Sequence, residues 1–229
     1  MASHHEHRET IVRLGRTLYE RGFIAATDGN LSIRLSPERI LITPTCMCKG
    51  MMSAHDLVVV DMKGRRLEGD RNVSSEVAMH LLIYSLRPDV QGIVHAHPPT
   101  ATGFAAAGVA LDQPLISEIV LTLGAVPLAQ YGCPGTPELS ESLRSFVPTH
   151  EAILMANHGV VAYADDIERA FMHMETVEHF AKIMLVARSL GQPQVLNAEQ
   201  VRELEAIRAK MEAARKNESE RGMAVEVNS

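Results

Sequence analysis

Along the chain the spacing of apolar residues switches between the helical and the strand period, and the switches mark out the elements. Ile11, Leu14, Leu18 and Tyr19 recur on one side of a helix over residues 8–20, and Gly22 ends that stretch. Leu31, Ile33 and Leu35 then alternate with Ser32 and Arg34 as a half-buried strand does, and a second strand is expected at 39–43. Asp56 to Met62 reads as another strand, closed by a Lys63-Gly64 turn, with Leu67 opening its partner. Ser74 is placed to cap a helix carrying Val77, Met79, Leu81, Ile83 and Tyr84 that stops before Pro88. Residues 92–97 read as a short buried strand, 99–107 as an alanine-rich helix, and 116–127 as a segment containing strand.

The second half repeats the alternation. Thr136-Pro137-Glu138 opens a helix with a capping hydroxyl, a proline at the first helical position and an acid in the first turn. Two apolar strands, 151–156 and 160–163, flank Asn157-His158-Gly159. Asp165 or Asp166 caps the longest helix, whose apolar positions keep helical spacing until Gly191, and Asn197 with Gln200 forms a capping box for one last helix. With no repeat and no low-complexity linker, the pattern predicts one α/β domain over 8–215, between polar ends 1–7 and 216–229 that are expected to be flexible.

Composition narrows the class of function. The 229 residues are 46% apolar and 22% charged, as in a globular protein, and carry a formal charge of -6. That balance supplies no general basic face for a nucleic-acid backbone or an anionic membrane, so neither is an expected partner. No apolar run approaches the roughly 20 residues of a membrane-spanning helix, and the polar start is unlike a signal peptide, which predicts a cytoplasmic protein. Three cysteines, two of them at 46 and 48, do not make a disulfide framework.

The chemistry concentrates in histidines. His95 and His97, two apart on the expected strand, point to one face, where both imidazoles reach one metal or simply pack in the core. His158, in a tight connection between apolar strands, would complete the three-imidazole set of a catalytic zinc, with the fold closing the long gap between positions 97 and 158. His80, His173 and His179 lie on helices and read as solvated or packing residues. Glu76, in the first turn of its helix, complements the helix dipole or does chemistry. Ser74-Ser75, Thr27-Asp28-Gly29-Asn30 and Thr43-Pro44-Thr45 are small polar turns of the kind that cradle an anion.

Gly29-Asn30-Leu31-Ser32, Leu41-Ile42-Thr43-Pro44-Thr45, Ser74-Ser75-Glu76, His95-Ala96-His97-Pro98 and Asn157-His158-Gly159 follow the order and approximate spacing of the class II aldolase/adducin family. From about residue 8 to 210 the chain resembles that family, and most of all its fuculose-phosphate-aldolase-like zinc enzymes. The resemblance implies a three-layer α/β/α domain around a largely antiparallel sheet, assembled as a homotetramer with active sites between subunits. It implies zinc, with manganese or cobalt as alternatives, on His95, His97 and His158. Glu76 would be the acid/base, and Thr27, Gly29, Asn30, Thr45, Cys46, Ser74 and Ser75 the phosphate pocket. The expected reaction is reversible cleavage of a small ketose 1-phosphate to dihydroxyacetone phosphate and an aldehyde. Epimerisation, decarboxylation or dehydration of a related sugar phosphate, or a non-catalytic assembly role, are the alternatives on the same scaffold.

Two departures from the family stand out. Cys46 replaces the glycine usual after Pro-Thr, where Lys49 adds a compensating charge. Glu118 falls where the family carries a tyrosine proton donor, which makes it the expected partner of the departing aldehyde oxygen.

Overall fold

In the computed structural model the described residues are 3–226, without the side chains of 216–226. The centre is an eight-stranded sheet of β1 (Asn30–Ser36), β2 (Arg39–Ile42), β3 (Val58–Asp61), β4 (Arg66–Glu68), β5 (Gly92–Ala96), β6 (Leu128–Ala129), β7 (Ala152–Met155) and β8 (Gly159–Ala164). Their order across the sheet is β4-β3-β2-β1-β5-β8-β7-β6. Every pairing is antiparallel except β6 with β7.

Helices cover both faces, giving the three expected layers. Leu31, Ile33, Val94, Ala96, Val160 and Ala162 face α1 (His4–Glu20), α3 (Pro99–Ala106) and α6 (Ile167–Leu190) in one apolar core. The alternate residues Ile93, Val161 and Tyr163 face α2 (Val77–Leu86) and α5 (Pro137–Leu143) in a second. Both faces are therefore dry, and Ser32, which alternation alone would send to solvent, is fully buried on the α2 side. Burial of Ile11, Leu14 and Leu18 fixes α1 to the sheet, each contributing about 1.5–3 kcal/mol. α4 (Ser117–Thr122) and α7 (Ala198–Glu226) pack against each other at the outside of the first core. No helix among the described residues is long and apolar enough to cross a membrane.

Element boundaries depart from the sequence reading in four places. α1 begins at His4, ahead of the periodic stretch, because Ser3 and Glu6 form a reciprocal capping box. Ser74 does not cap α2: its hydroxyl accepts from Glu76 N at 3.3 Å, and Ser74-Ser75-Glu76 make a turn that precedes the helix. The segment 116–127 holds α4 rather than a strand; its mixed periodicity buries Ile119 and Val120 against the core from a short helix. Thr136 stands at the head of α5, but its hydroxyl donates to Cys133 O instead of capping. The capping box of α7 is formed as read, with Gln200 N on Asn197 Oδ1 and Asn197 N on Gln200 Oε1. The α7 backbone continues helically through most of the expected tail, and residues 1, 2 and 227–229 lie outside the described residues.

Candidate metal centre and anion cleft

β5 carries His95 on the α2 face and delivers His97 just past its end, where the His97 amide donates to Phe23 O at 2.8 Å. Pro98 and Pro99 then turn the chain into α3. The buried carboxylate of Glu178, on α6, accepts the amides of Thr100 and Ala101 at the head of that helix. His158 comes from the turn joining β7 to β8. Asn157 supplies the left-handed conformation there (φ 54°), and a side chain at Gly159 would strike the His97 ring, with Cδ2 at 2.4 Å from the position of a Cβ.

Two of the three imidazoles are aimed by what their other nitrogen does, while the buried Nδ1 of His158 has no hydrogen-bond partner among the described residues. His95 Nδ1 donates to Val160 O at 2.9 Å, which leaves Nε2 as the lone-pair nitrogen of the neutral ring. His97 Nδ1 faces Asp28 Oδ2 at 3.5 Å, freeing its Nε2 in the same way. The two Nε2 atoms are 3.2 Å apart. Glu76 Oε2 lies 3.2 Å from His95 Nε2, and Oε1 lies 3.1 Å from His158 Nε2. Electron-rich atoms thus crowd one centre, an arrangement that needs a positive charge among them. Burial alone would raise the Glu76 carboxyl, but positive charge on His95, aided by His158, outweighs it and holds it well below the usual carboxylate range, and Glu76 in turn raises His95 against its burial. Burial lowers His97 to about 3, with His95 and His158 adding to the effect. The ligand nitrogens of His95, His97 and His158 all lie within 4.8 Å of one another. Two nitrogens about 2.05 Å from a tetrahedral ion stand about 3.3 Å apart, the spacing of the His95–His97 pair, so the donor set is compatible with a metal ion.

Beside this centre opens a cleft of about 320 Å³, lined by all seven residues assigned to the phosphate pocket: Thr27, Gly29, Asn30, Thr45, Cys46, Ser74 and Ser75. Glu76, His97 and His158 line it as well, together with Asp28, Lys49 and Pro134. Gly29 is held at φ 68°, and a Cβ there would lie 2.7 Å from His95 O, so only glycine lets this turn pass behind the metal strand. Cys46 keeps a left-handed backbone (φ 55°) although it is not glycine, so the turn retains its path at a cost in strain.

Lys49 is the cleft's cation. It is 3% exposed, and its ammonium donates to Thr27 O at 2.5 Å. Among the described residues it makes no ion pair. Burial lowers its pKa while Asp28 opposes that shift. Asp28, which orients His97, reads in the sequence only as part of a turn; an acid between the turn formers before a ligand-bearing sheet is the available signal.

Glu118 is not brought to this cleft. It lies on α4 and lines a separate depression with Arg21, Phe23, Ile116, Glu175 and His179. Within one chain it has no contact with the histidine centre. Of the two readings offered for His80, solvated or packing, the structure takes the second: it is fully buried, with Asn30 between it and Glu76.

Comparison with known proteins places this geometry. Residues 9–185 match the model of the Class II Aldolase and Adducin N-terminal domain. The chain is 37% identical over 181 residues, 77% of its own length and 85% of the relative's, to the 3-oxo-tetronate 4-phosphate decarboxylase of Haemophilus influenzae. It is 32% identical over 199 residues, 86% of its length and 92% of the relative's, to the 5-deoxy-D-ribulose 1-phosphate aldolase of Bacillus thuringiensis serovar kurstaki. A solved structure of an L-fuculose 1-phosphate aldolase superposes with a TM-score of 0.83 at 33% identity, over 90% of this chain and 97% of that one.

Proposed function

The chain belongs to the class II aldolase and adducin family, and from that premise we propose that it is a metal-dependent lyase that breaks a carbon–carbon bond beside the ketone of a small sugar phosphate. The reading we favour is reversible aldol cleavage of a ketose 1-phosphate to dihydroxyacetone phosphate and an aldehyde. One observation carries it: the lone-pair nitrogens of His95 and His97, with His158 and the Glu76 carboxylate, face a single centre at the edge of an anion cleft.

The residues divide the work. His95, His97 and His158 would hold a divalent cation, zinc by its preference for three imidazoles, with manganese or cobalt as substitutes. Such an ion, when bound, polarises the ketone and accommodates the negative charge that bond cleavage leaves behind. In the direction of synthesis, the ionised Glu76 removes a proton from the hydroxymethyl carbon of dihydroxyacetone phosphate. The electron pair left there forms the new bond to the aldehyde carbon, and the aldehyde oxygen takes up a proton. Cleavage runs the same steps backwards, with protonated Glu76 returning the proton. Ser74, Ser75, Thr45 and the turn at Gly29 and Asn30 hold the phosphate with neutral donors, and Lys49 meets its charge. Glu118 reaches a cleft only from a neighbouring subunit, so its role toward the aldehyde oxygen goes with the proposed homotetramer. Size-exclusion chromatography with light scattering checks that assembly.

The 37% identity to a 3-oxo-tetronate 4-phosphate decarboxylase favours a second reading. Loss of carbon dioxide from a 3-oxo acid likewise leaves an electron pair next to a ketone, so the same centre and cleft would serve. Purified protein loaded with zinc, incubated with 5-deoxyribulose 1-phosphate and fuculose 1-phosphate, is expected to release dihydroxyacetone phosphate. Release of carbon dioxide from 3-oxo-tetronate 4-phosphate with no triose phosphate from either ketose would replace the first reading by the second.

A further inference from the structure

A buried file of polar side chains runs from the interior of the α2 layer to Glu76. Tyr84 Oη lies 2.9 Å from Ser32 Oγ, and Ser32 Oγ lies 2.7 Å from His80 Nδ1. His80 Nε2 is 2.5 Å from Asn30 Oδ1, and Asn30 Nδ2 is 2.8 Å from Glu76 Oε2. Two periodicities put these groups in register. Asn30 and Ser32 are two apart on β1 and share its α2 face, while Glu76, at the N-cap of α2, and His80 and Tyr84 within it stand four apart. Ser32 and His80 are fully buried, Tyr84 is 1% exposed and Asn30 4%. Polar groups so placed in an apolar core are expensive unless every one is satisfied.

Chemistry assigns every proton in the file from one end. An ionised carboxylate only accepts, so Asn30 presents its amide nitrogen to Glu76 and its oxygen to His80. His80 Nε2 therefore carries the hydrogen. Burial holds this ring neutral, with a pKa lowered to about 3, so Nδ1 accepts from the Ser32 hydroxyl. Ser32 Oγ in turn accepts from the Tyr84 hydroxyl, whose pKa burial raises. All the donors point the same way, and the last one ends on Glu76 Oε2. The other oxygen, Oε1, takes no part in the file and lies 3.1 Å from His158 Nε2, facing the histidine centre.

The geometry points to His80 as a positioning residue: backed by Ser32 and Tyr84, it fixes the orientation of the Asn30 amide. That amide pins Oε2 of Glu76 and leaves Oε1 as the oxygen that handles the substrate's proton. The hydrogen bonds of His80 go to Ser32 and Asn30. Its effect passes through Asn30 alone, whose amide would otherwise rotate to offer the carboxylate an oxygen. This inference rests on the acid/base role proposed for Glu76.

The test pairs His80→Leu, which keeps bulk but no polar atoms, with His80→Gln, which keeps one donor and one acceptor. On the substrate accepted by the wild-type protein, His80→Leu is expected to lower kcat about 10- to 100-fold. KM and bound zinc should stay within about twofold of wild type, since neither cleft nor ligands change. His80→Gln should recover most of the loss. Independently of any substrate, nitrogen-15 NMR of histidine-labelled full-length protein should find His80 as the neutral Nε2–H tautomer, and Ser32→Ala should shift its Nδ1 resonance. Wild-type turnover in His80→Leu, equal losses in the Leu and Gln variants, or an Nδ1–H tautomer would each overturn the proposal. Should His80→Leu fail to fold, the tautomer and its response to Ser32→Ala decide alone. A wild-type protein inactive on every sugar phosphate would count against the proposed reaction, and the NMR result would then decide by itself whether the file is ordered as described.

Discussion

The two halves of the cleft are built by opposite means. The histidine half hangs on strands: β5 sets His95 against Val160 O, and the β7–β8 hairpin returns His158 to the same point. Its geometry follows from register, which a buried sheet holds tightly. The anion half hangs on turns: Gly29 and Cys46 have left-handed backbones, and Ser74-Ser75 precede the first turn of α2. Here backbone amides and short hydroxyls do the binding, and Lys49 contributes charge from a one-turn helix (Lys49–Met51). A strand-borne half suits chemistry, which needs fixed atoms; a turn-borne half suits recognition, which tolerates exchange of side chains. Substitutions should therefore separate, with losses of turnover on one side and losses of affinity on the other.

His97→Ala gives the largest expected effect. Its side chain is 25% exposed, so the fold should survive, while zinc measured by plasma emission falls below stoichiometry and turnover drops about a thousandfold or more. Retained zinc and turnover would break the comparison at its base. Glu76→Gln comes next: metal stays, but exchange of the hydroxymethyl proton of dihydroxyacetone phosphate with deuterated solvent slows about 10²- to 10⁴-fold. Lys49→Met moves to the other half. Removing a buried charge-assisted contact worth about 1.5–3 kcal/mol should raise KM about 10- to 100-fold with kcat nearly unchanged, and a drop in kcat alone would put Lys49 on the chemical side. Cys46→Gly is the mildest. Relief of the left-handed strain should stabilise the fold by about 1 kcal/mol and lift Tm by about 2–4 °C in calorimetry, with little change in KM.

The same contrast explains what can be read without coordinates. A strand writes its geometry into sequence as alternation, so His95-Ala96-His97 and the Asn157-His158-Gly159 hairpin are legible, and so is the layered fold they need. The turn residues are legible as a set only through the family motifs they match. Ser32 misleads because a polar residue between apolar ones ordinarily marks a wet face; here it and His80 satisfy each other inside a two-sided sheet. Glu118 follows from alignment to a tyrosine, and α4 places it on a different depression of the same chain. Mixed periodicity over 116–127 hides that helix, since six residues complete fewer than two turns.

Glu178 ties the middle of the 24-residue α6 to the head of α3, three residues beyond His97. A helix that touches no substrate thereby governs how the ligand strand leaves the sheet. Changes at this carboxylate would leave the two amides unpaired and cost stability, and through the exit of the ligand strand they would also be felt at the centre in front.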